Sequence, residues 1–208
     1  ANSLQAGNYP RWFDRQAFKS YNFVQFCRKY AAAYAEIDPE AKTGFEGAGR
    51  FADGDDLDLI VRSNEFWSPY PGTADEVARS ISPREAPRSN WMGYTKDADS
   101  LVSKYWRMVT LGMDAVWYWR WDCIGAFHGW LAPDLRPFPA VQDILNDTRI
   151  VREGLGDLLL KSQMQDDGIA VLFSYPSVFA HKLADGASFG SYESAHVATH
   201  RALRDMGL

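Results

Sequence analysis

Two cysteines in 208 residues are too few for a disulfide framework. Cys27 lies in an apolar helical stretch and Cys123 follows a strand, so both read as free, reduced thiols. A single disulfide between them is the alternative. No apolar run approaches the length needed to cross a membrane. Ala1-Asn2-Ser3-Leu4 shows no charged segment leading into a long apolar one, so no secretory leader is read there. A cytoplasmic protein without a membrane partner is therefore expected. The chain opens without Met, as a processed chain or a piece of a longer one would. No basic stripe offsets the net charge of -5, which argues against a nucleic-acid partner. Proline and glycine are unexceptional, and charged residues make up 24%, so composition does not favour disorder. No internal repeat or low-complexity segment is present.

What is present is 46% apolar content, enough for one sizeable core or for one core and part of a second. Eight tryptophans stand within an aromatic fraction of 14%. Packing can absorb several of them, but flat aromatic faces also suit the apolar faces of pyranose rings.

Apolar periodicity predicts a helix over residues 15–37, with Phe23, Cys27, Tyr30 and Tyr34 in one row. Asp38-Pro39 ends it. Residues 42–47 read as a short strand running into glycines, 56–62 as a helix, 64–68 as a strand and 74–81 as a helix. A strand over 88–94 follows. A helix carries Leu101, Tyr105 and Met108 in one row, capped by Asp97 or Thr95 and closed by Gly112. The strand 114–122 comes next, then a loop with Gly125, His128 and Gly129. A long helix over 139–161 has Gly154 and Gly156 as bending points. Residues 168–175 form a near-continuous apolar run of the kind seen in buried parallel strands, and a helix over 192–206 ends at Gly207. Alternating strands and helices predict an α/β fold with a parallel sheet and right-handed crossovers. A unit boundary falls in the polar run 162–167, giving units of 1–161 and 162–208.

Several segments, in order, resemble family 42 glycoside hydrolases of the β-galactosidase kind. Residues 18–26 followed by Ile37-Asp38-Pro39-Glu40 resemble the helix before that family's fifth barrel strand. Phe66-Trp67-Ser68-Pro69-Tyr70-Pro71 resembles the sixth-strand segment, and Asn90-Trp91 the seventh. Residues 112–121 resemble the eighth strand, and 125–129 the loop after it. Residues 168–175, with the helix ending at Arg204-Asp205-Met206-Gly207, resemble the opening of the family's flavodoxin-like trimerisation domain. The resemblance thus implies strands 5–8 of a (β/α)8 barrel over 1–161, the first strand–helix unit of a flavodoxin-like domain over 162–208, and a carbohydrate substrate. Self-association is expected, because four strands leave two open edges.

Active sites in such barrels sit at the C-terminal strand ends. Retaining glycosidases use two carboxyl groups about 5–5.5 Å apart. The resemblance places the acid/base after the fourth strand, a segment this sequence does not contain. It places the nucleophile at the end of the seventh, where Asn90-Trp91-Met92-Gly93-Tyr94 has no Glu. Glu46 is the best remaining catalytic candidate, with a solvated loop residue as the alternative, while Glu65 reads as structural. The implied substrate-binding set is Trp67, Tyr70, Asn90, Trp91, Trp119, Arg120, Asp122 and His128. Arg120 and Asp122 read either as an interior ion pair or as a clamp on sugar hydroxyls. Trp91 and Trp119 read equally as core or as sugar platforms. His196 and His200 stand four apart on a helix but lack the His-Glu-x-x-His arrangement, so a wet helix face outweighs a metal site. No cofactor or metal is expected. The alternative to a hydrolase fragment is a non-catalytic carbohydrate-binding or assembly module.

Overall fold

The computed structural model describes residues 3–47, 55–70, 73–83, 85–93, 97–121, 129–163, 165, 167–185 and 190–207. Helix α1 (Tyr9–Ala35) opens the chain. The Asn8 side chain caps it by accepting from Arg11 N, and Pro10 fits the first turn, where no N–H is required. Its buried side chains are Trp12, Ser20, Val24 and Cys27. Of the predicted row, Cys27 is buried and Phe23 packs against the core, but the helix runs on past that core. Tyr30 and Tyr34 lie exposed, with their hydroxyls 3.1 Å apart.

Three short alternations follow. They are β1 (Gly44–Glu46), α2 (Leu57–Arg62), β2 (Phe66–Ser68), α3 (Thr73–Ile81), β3 (Ser89–Gly93), α4 (Ala98–Thr110) and β4 (Ala115–Trp119). Asp56 caps α2 and Asp97 caps α4, each accepting from a backbone N–H three residues on. Gly112 closes α4 with φ at 77°, where a Cβ would be strained.

β1 pairs with β2 and β3 with β4, both in parallel. The two ladders meet through one parallel bridge, Trp67 to Arg88, and a hydrogen bond from Trp91 N to Pro69 O. The parallel pairing expected from the sequence is thus present, as two two-stranded sheets, β1–β2 and β3–β4, linked at that bridge. Glu65 has the structural part expected of it. Its carboxylate accepts from Thr43 N at 2.6 Å, and its own N–H donates to Thr43 O, which fixes the start of the β1–β2 ladder.

Two apolar clusters cover the helix side. The first joins Trp12 and Val24 of α1, Leu57, Ile60 and Val61 of α2, Trp67, Val77 and Ala78 to Val178 and Phe179 near the C-terminus. The second joins Met92, Leu101, Tyr105, Met108 and Val109 to Trp130, Ala140, Val141 and Ile144.

The long helix expected over 139–161 bends as its glycines predict. Helix α5 (Pro139–Ile150) passes into a π-helical turn, Val151–Leu155, and then α6 (Gly156–Lys161). Gly154 takes φ 152° at the kink, a conformation open to glycine.

The strand predicted over 168–175 is corrected. Residues 169–174 form no ladder, Ile169 and Leu172 are exposed, and Tyr175 begins helix α7 (Tyr175–Asp185) with Pro176 in its first turn. Among the described residues this segment pairs with none of the four strands. The Tyr175 hydroxyl instead accepts from Leu57 N and donates to Asp55 O, tying α7 to the start of α2. Burial pushes that phenol far above its ordinary range. Helix α8 (Gly190–Asp205) ends at Gly207, where φ is 79°.

Candidate functional site

Side chains alternate across a strand, so register decides which residues share a face. Trp67 and Met92 enter the two cores, and Val116 packs against the second. The register pairs Glu46 with Ser68, Trp91 with Trp117, and Gly93 with Trp119. Glu46, Ser68, Ser89, Trp91, Trp117 and Trp119 therefore take the face away from the helices. A hydrogen bond between the Ser68 and Ser89 hydroxyls carries that face across the junction of the two ladders.

The aromatic part is compact. Trp91 and Trp117 are stacked, with ring centroids 5.9 Å apart and planes 21° from parallel. Trp119 meets Trp91 edge-on at 6.0 Å. Trp117 is 44% exposed, so the pair is partly open to solvent. The Nε1–H of Trp91 is buried and meets no acceptor among the described residues, leaving a donor on this face.

Close backbone approach makes the cluster possible. A Cβ at Gly93 would stand 1.9 Å from the Trp119 carbonyl oxygen, so only glycine allows this ladder. The same carbonyl accepts from Trp130 Nε1 at 3.0 Å, and Trp130 N donates to Arg120 O at 2.8 Å. The Trp119–Arg120 peptide bond is cis.

At the other end of the sheet, Glu46 is exposed at the tip of β1. The next residue, Gly47, continues the ladder to Ser68 O at 2.9 Å and lies against the ring of Tyr70, where a Cβ would stand 2.8 Å from Cε2. Tyr70 thus lies against Gly47, the residue that follows Glu46 at the neighbouring strand end. The structure brings Trp91 and Trp119 together at the other ladder. Arg120 follows β4 directly and is half-buried.

Two members of the predicted set sit elsewhere. Trp67 is buried in the first core, and Asn90 is fully buried on the Met92 side with its Oδ1 accepting from Trp91 N at 2.8 Å. Strand alternation turns both toward the helices. Asp122 and His128 lie outside the described residues. Among those described, Glu46 is the one carboxylate at a C-terminal strand end, and no group of side chains there could hold a metal ion.

Trp117 was missed by the sequence reading, although strand alternation with Trp119 could have marked it. Also missed was a buried carboxylate, Glu76 of α3. It meets Arg79 at 3.3 Å, Arg107 at 3.2 Å, Arg204 at 3.1 Å and His200 at 3.8 Å. No local pattern marks it, because its partners come from α3, α4 and α8.

Two surface hollows lie away from the strand ends. One, of about 320 Å³, is lined by Ser194, Val197, Ala198 and Arg201. The other, of about 580 Å³, runs along the start of α1. No helix among the described residues is long and apolar enough to cross a membrane. Comparison of the chain with protein-family models, with curated proteins and with solved structures finds no match.

Proposed function

We propose that the chain is the strand 5–8 half of a family 42-like glycoside hydrolase barrel, and that its tryptophan face binds a β-linked sugar. The observation that carries this reading is the cluster of Trp91, Trp117 and Trp119 on the same strand face as Glu46. Pyranose rings have apolar faces that stack on indoles, and their hydroxyls need donors and acceptors nearby. Four parallel strands in sequence order, each followed by helix, suit one half of a (β/α)8 closure. The proposal is confined to residues 1–161, since the segment 168–174 lends no support to a flavodoxin-like unit.

Glu46 is the candidate acid. Retaining hydrolysis needs a second carboxyl group about 5–5.5 Å away. On this reading it comes from outside these four strands, and the isolated chain binds sugar without turning it over. A second reading, a non-catalytic saccharide-binding module, is favoured by one observation: β3 ends in Gly93, where the resemblance calls for a nucleophile.

The test is titration of the chain with lactose and free galactose, followed by calorimetry and tryptophan fluorescence. Trp117→Ala and Trp91→Ala are expected to weaken binding by on the order of tenfold or more, the value of a lost aromatic contact of about 1.4 kcal/mol. Circular dichroism verifies that both variants remain folded. Binding unchanged in the folded variants removes the tryptophan face from the site. No release of nitrophenol from a β-galactoside is expected of the isolated chain, and release that Glu46→Gln abolishes would overturn the reading that the second carboxyl group lies outside it.

A further inference from the structure

Helix α1 outruns the body that supports it. Its last buried residue is Cys27, and no side chain from Arg28 to Ala35 is buried. The overhang is nonetheless apolar along one side. Phe26, Tyr30, Tyr34 and, in the turn that follows, Ile37 are all exposed. At about 100° per residue the four fall within a quarter of the helix circumference. The rings order one another: Phe26 stacks on Tyr30 with centroids 6.1 Å apart, and Tyr30 meets Tyr34 at 4.9 Å. A contiguous exposed apolar patch marks an interaction surface, and tyrosine is enriched in the middle of such surfaces. Rings already held in place lose little side-chain freedom when a partner arrives.

We propose that this overhang is a dimerisation surface, on which α1 of a second copy of the chain packs antiparallel. Spacing and charge choose that occupant. Phe26, Tyr30, Ala33 and Ile37 follow at steps of four, three and four residues, the seam of a paired helix. Turned antiparallel upon itself, the seam sets Tyr30 against Ala33 of the second copy and Phe26 against Ile37 of the second copy. Each layer then puts a ring opposite a smaller side chain. Lys29 and Glu36 lie seven residues apart, both exposed, on one flank of the seam. Antiparallel pairing brings like flanks together, so Lys29 faces Glu36 of the second copy, and two-fold symmetry makes the pair twice. A parallel pair would set Lys29 against Tyr34 instead and make neither ion pair.

The contact spans about three turns and buries less than the roughly 1,600 Å² of a standard interface, so a micromolar, reversible dimer is expected. It differs from pairing at the open strand edges, which would leave the aromatic row of α1 bare.

Sedimentation equilibrium on the intact chain at low salt, from about 1 to 200 µM, reads the association. Tyr30→Ser with Tyr34→Ser should weaken the dimer by on the order of tenfold or more, with circular dichroism unchanged because neither ring enters a core. Lys29→Glu alone and Glu36→Lys alone each turn two attractions into two repulsions, and each should weaken it by about fivefold or more. Combined in one chain, the two exchanges should restore the dimer, which strand-edge pairing does not predict. A chain that stays monomeric across the range overturns the proposal. So does association that survives the tyrosine changes, which would point to the strand edges, and so does a double exchange that fails to recover the dimer.

Discussion

The two apolar clusters differ most in how far along the chain their members lie. The second draws all its buried residues from positions 92 to 144, in which strand, helix, strand and helix follow one another. The first needs Trp12 and Phe179 in contact, 5.8 Å between ring centroids, across almost the whole sequence. Closing a long loop costs entropy before any contact repays it. The second cluster can therefore form from neighbours in sequence, whereas the first is complete only when α7 returns to α1 and α2. The sheet follows the same division. The aromatic face stands on the ladder backed by the local cluster, and Glu46 on the ladder backed by the long-range one.

That contrast can be broken most forcefully in the cores. Phe179→Ala should destabilise by about 3–5 kcal/mol and Leu101→Ala by about 2–5 kcal/mol, as large-to-small changes at buried sites do. In hydrogen exchange, Phe179→Ala should loosen α1 and α7 while α4 and α5 stay protected, and Leu101→Ala should do the reverse. Uniform loss in both variants would show one cooperative unit and end the distinction.

A smaller effect is expected at the ladder between β3 and β4. Gly93→Ala forces a methyl group onto the Trp119 carbonyl, costing about 1–3 kcal/mol. Near-ultraviolet circular dichroism should lose the coupled signal of Trp91 and Trp119, while the first cluster is untouched. A retained signal with an unchanged melting temperature would mean that the two strands stand further apart.

The smallest effect separates the two helix caps. Burial raises the Asp56 carboxyl above its ordinary 3.8, although its bond from Leu59 N acts the other way. A raised carboxyl pKa means that the folded state prefers the protonated form, so the charge costs stability above that pKa and nothing below 3.8. Asp56→Asn keeps the cap and removes the charge, and should raise the melting temperature slightly at pH 7. The gain should disappear as the pH falls below about 3.8. Asp97→Asn, at an exposed cap, should change little at either pH. A gain at Asp97 equal to that at Asp56 would remove burial as the cause.

Much of the order of elements was legible because it rests on local rules. Asp97, Gly112 and Gly154 each act where the sequence places them, as cap, terminator or kink. The run over 168–175 misled because an apolar stretch reads as a strand only if another strand lies beside it. Here Pro176 and the ties of Tyr175 to Asp55 and Leu57 set the segment into a loop and a helix. The candidate site was legible in part. Alternation along β4 marks Trp117 with Trp119, but only pairing with β3 stacks Trp117 on Trp91.

By itself the sequence determined the cap and terminator of α4, the alternation of strand and helix between β1 and β4 and the parallel sense of pairing, because propensity, capping and periodicity act within a few residues. Tertiary structure alone decided that Trp67 and Asn90 turn inward, that Glu76 gathers arginines from three helices, and that α7 closes the first core. Those outcomes depend on which residues meet across long stretches of chain, and no local pattern encodes such meetings.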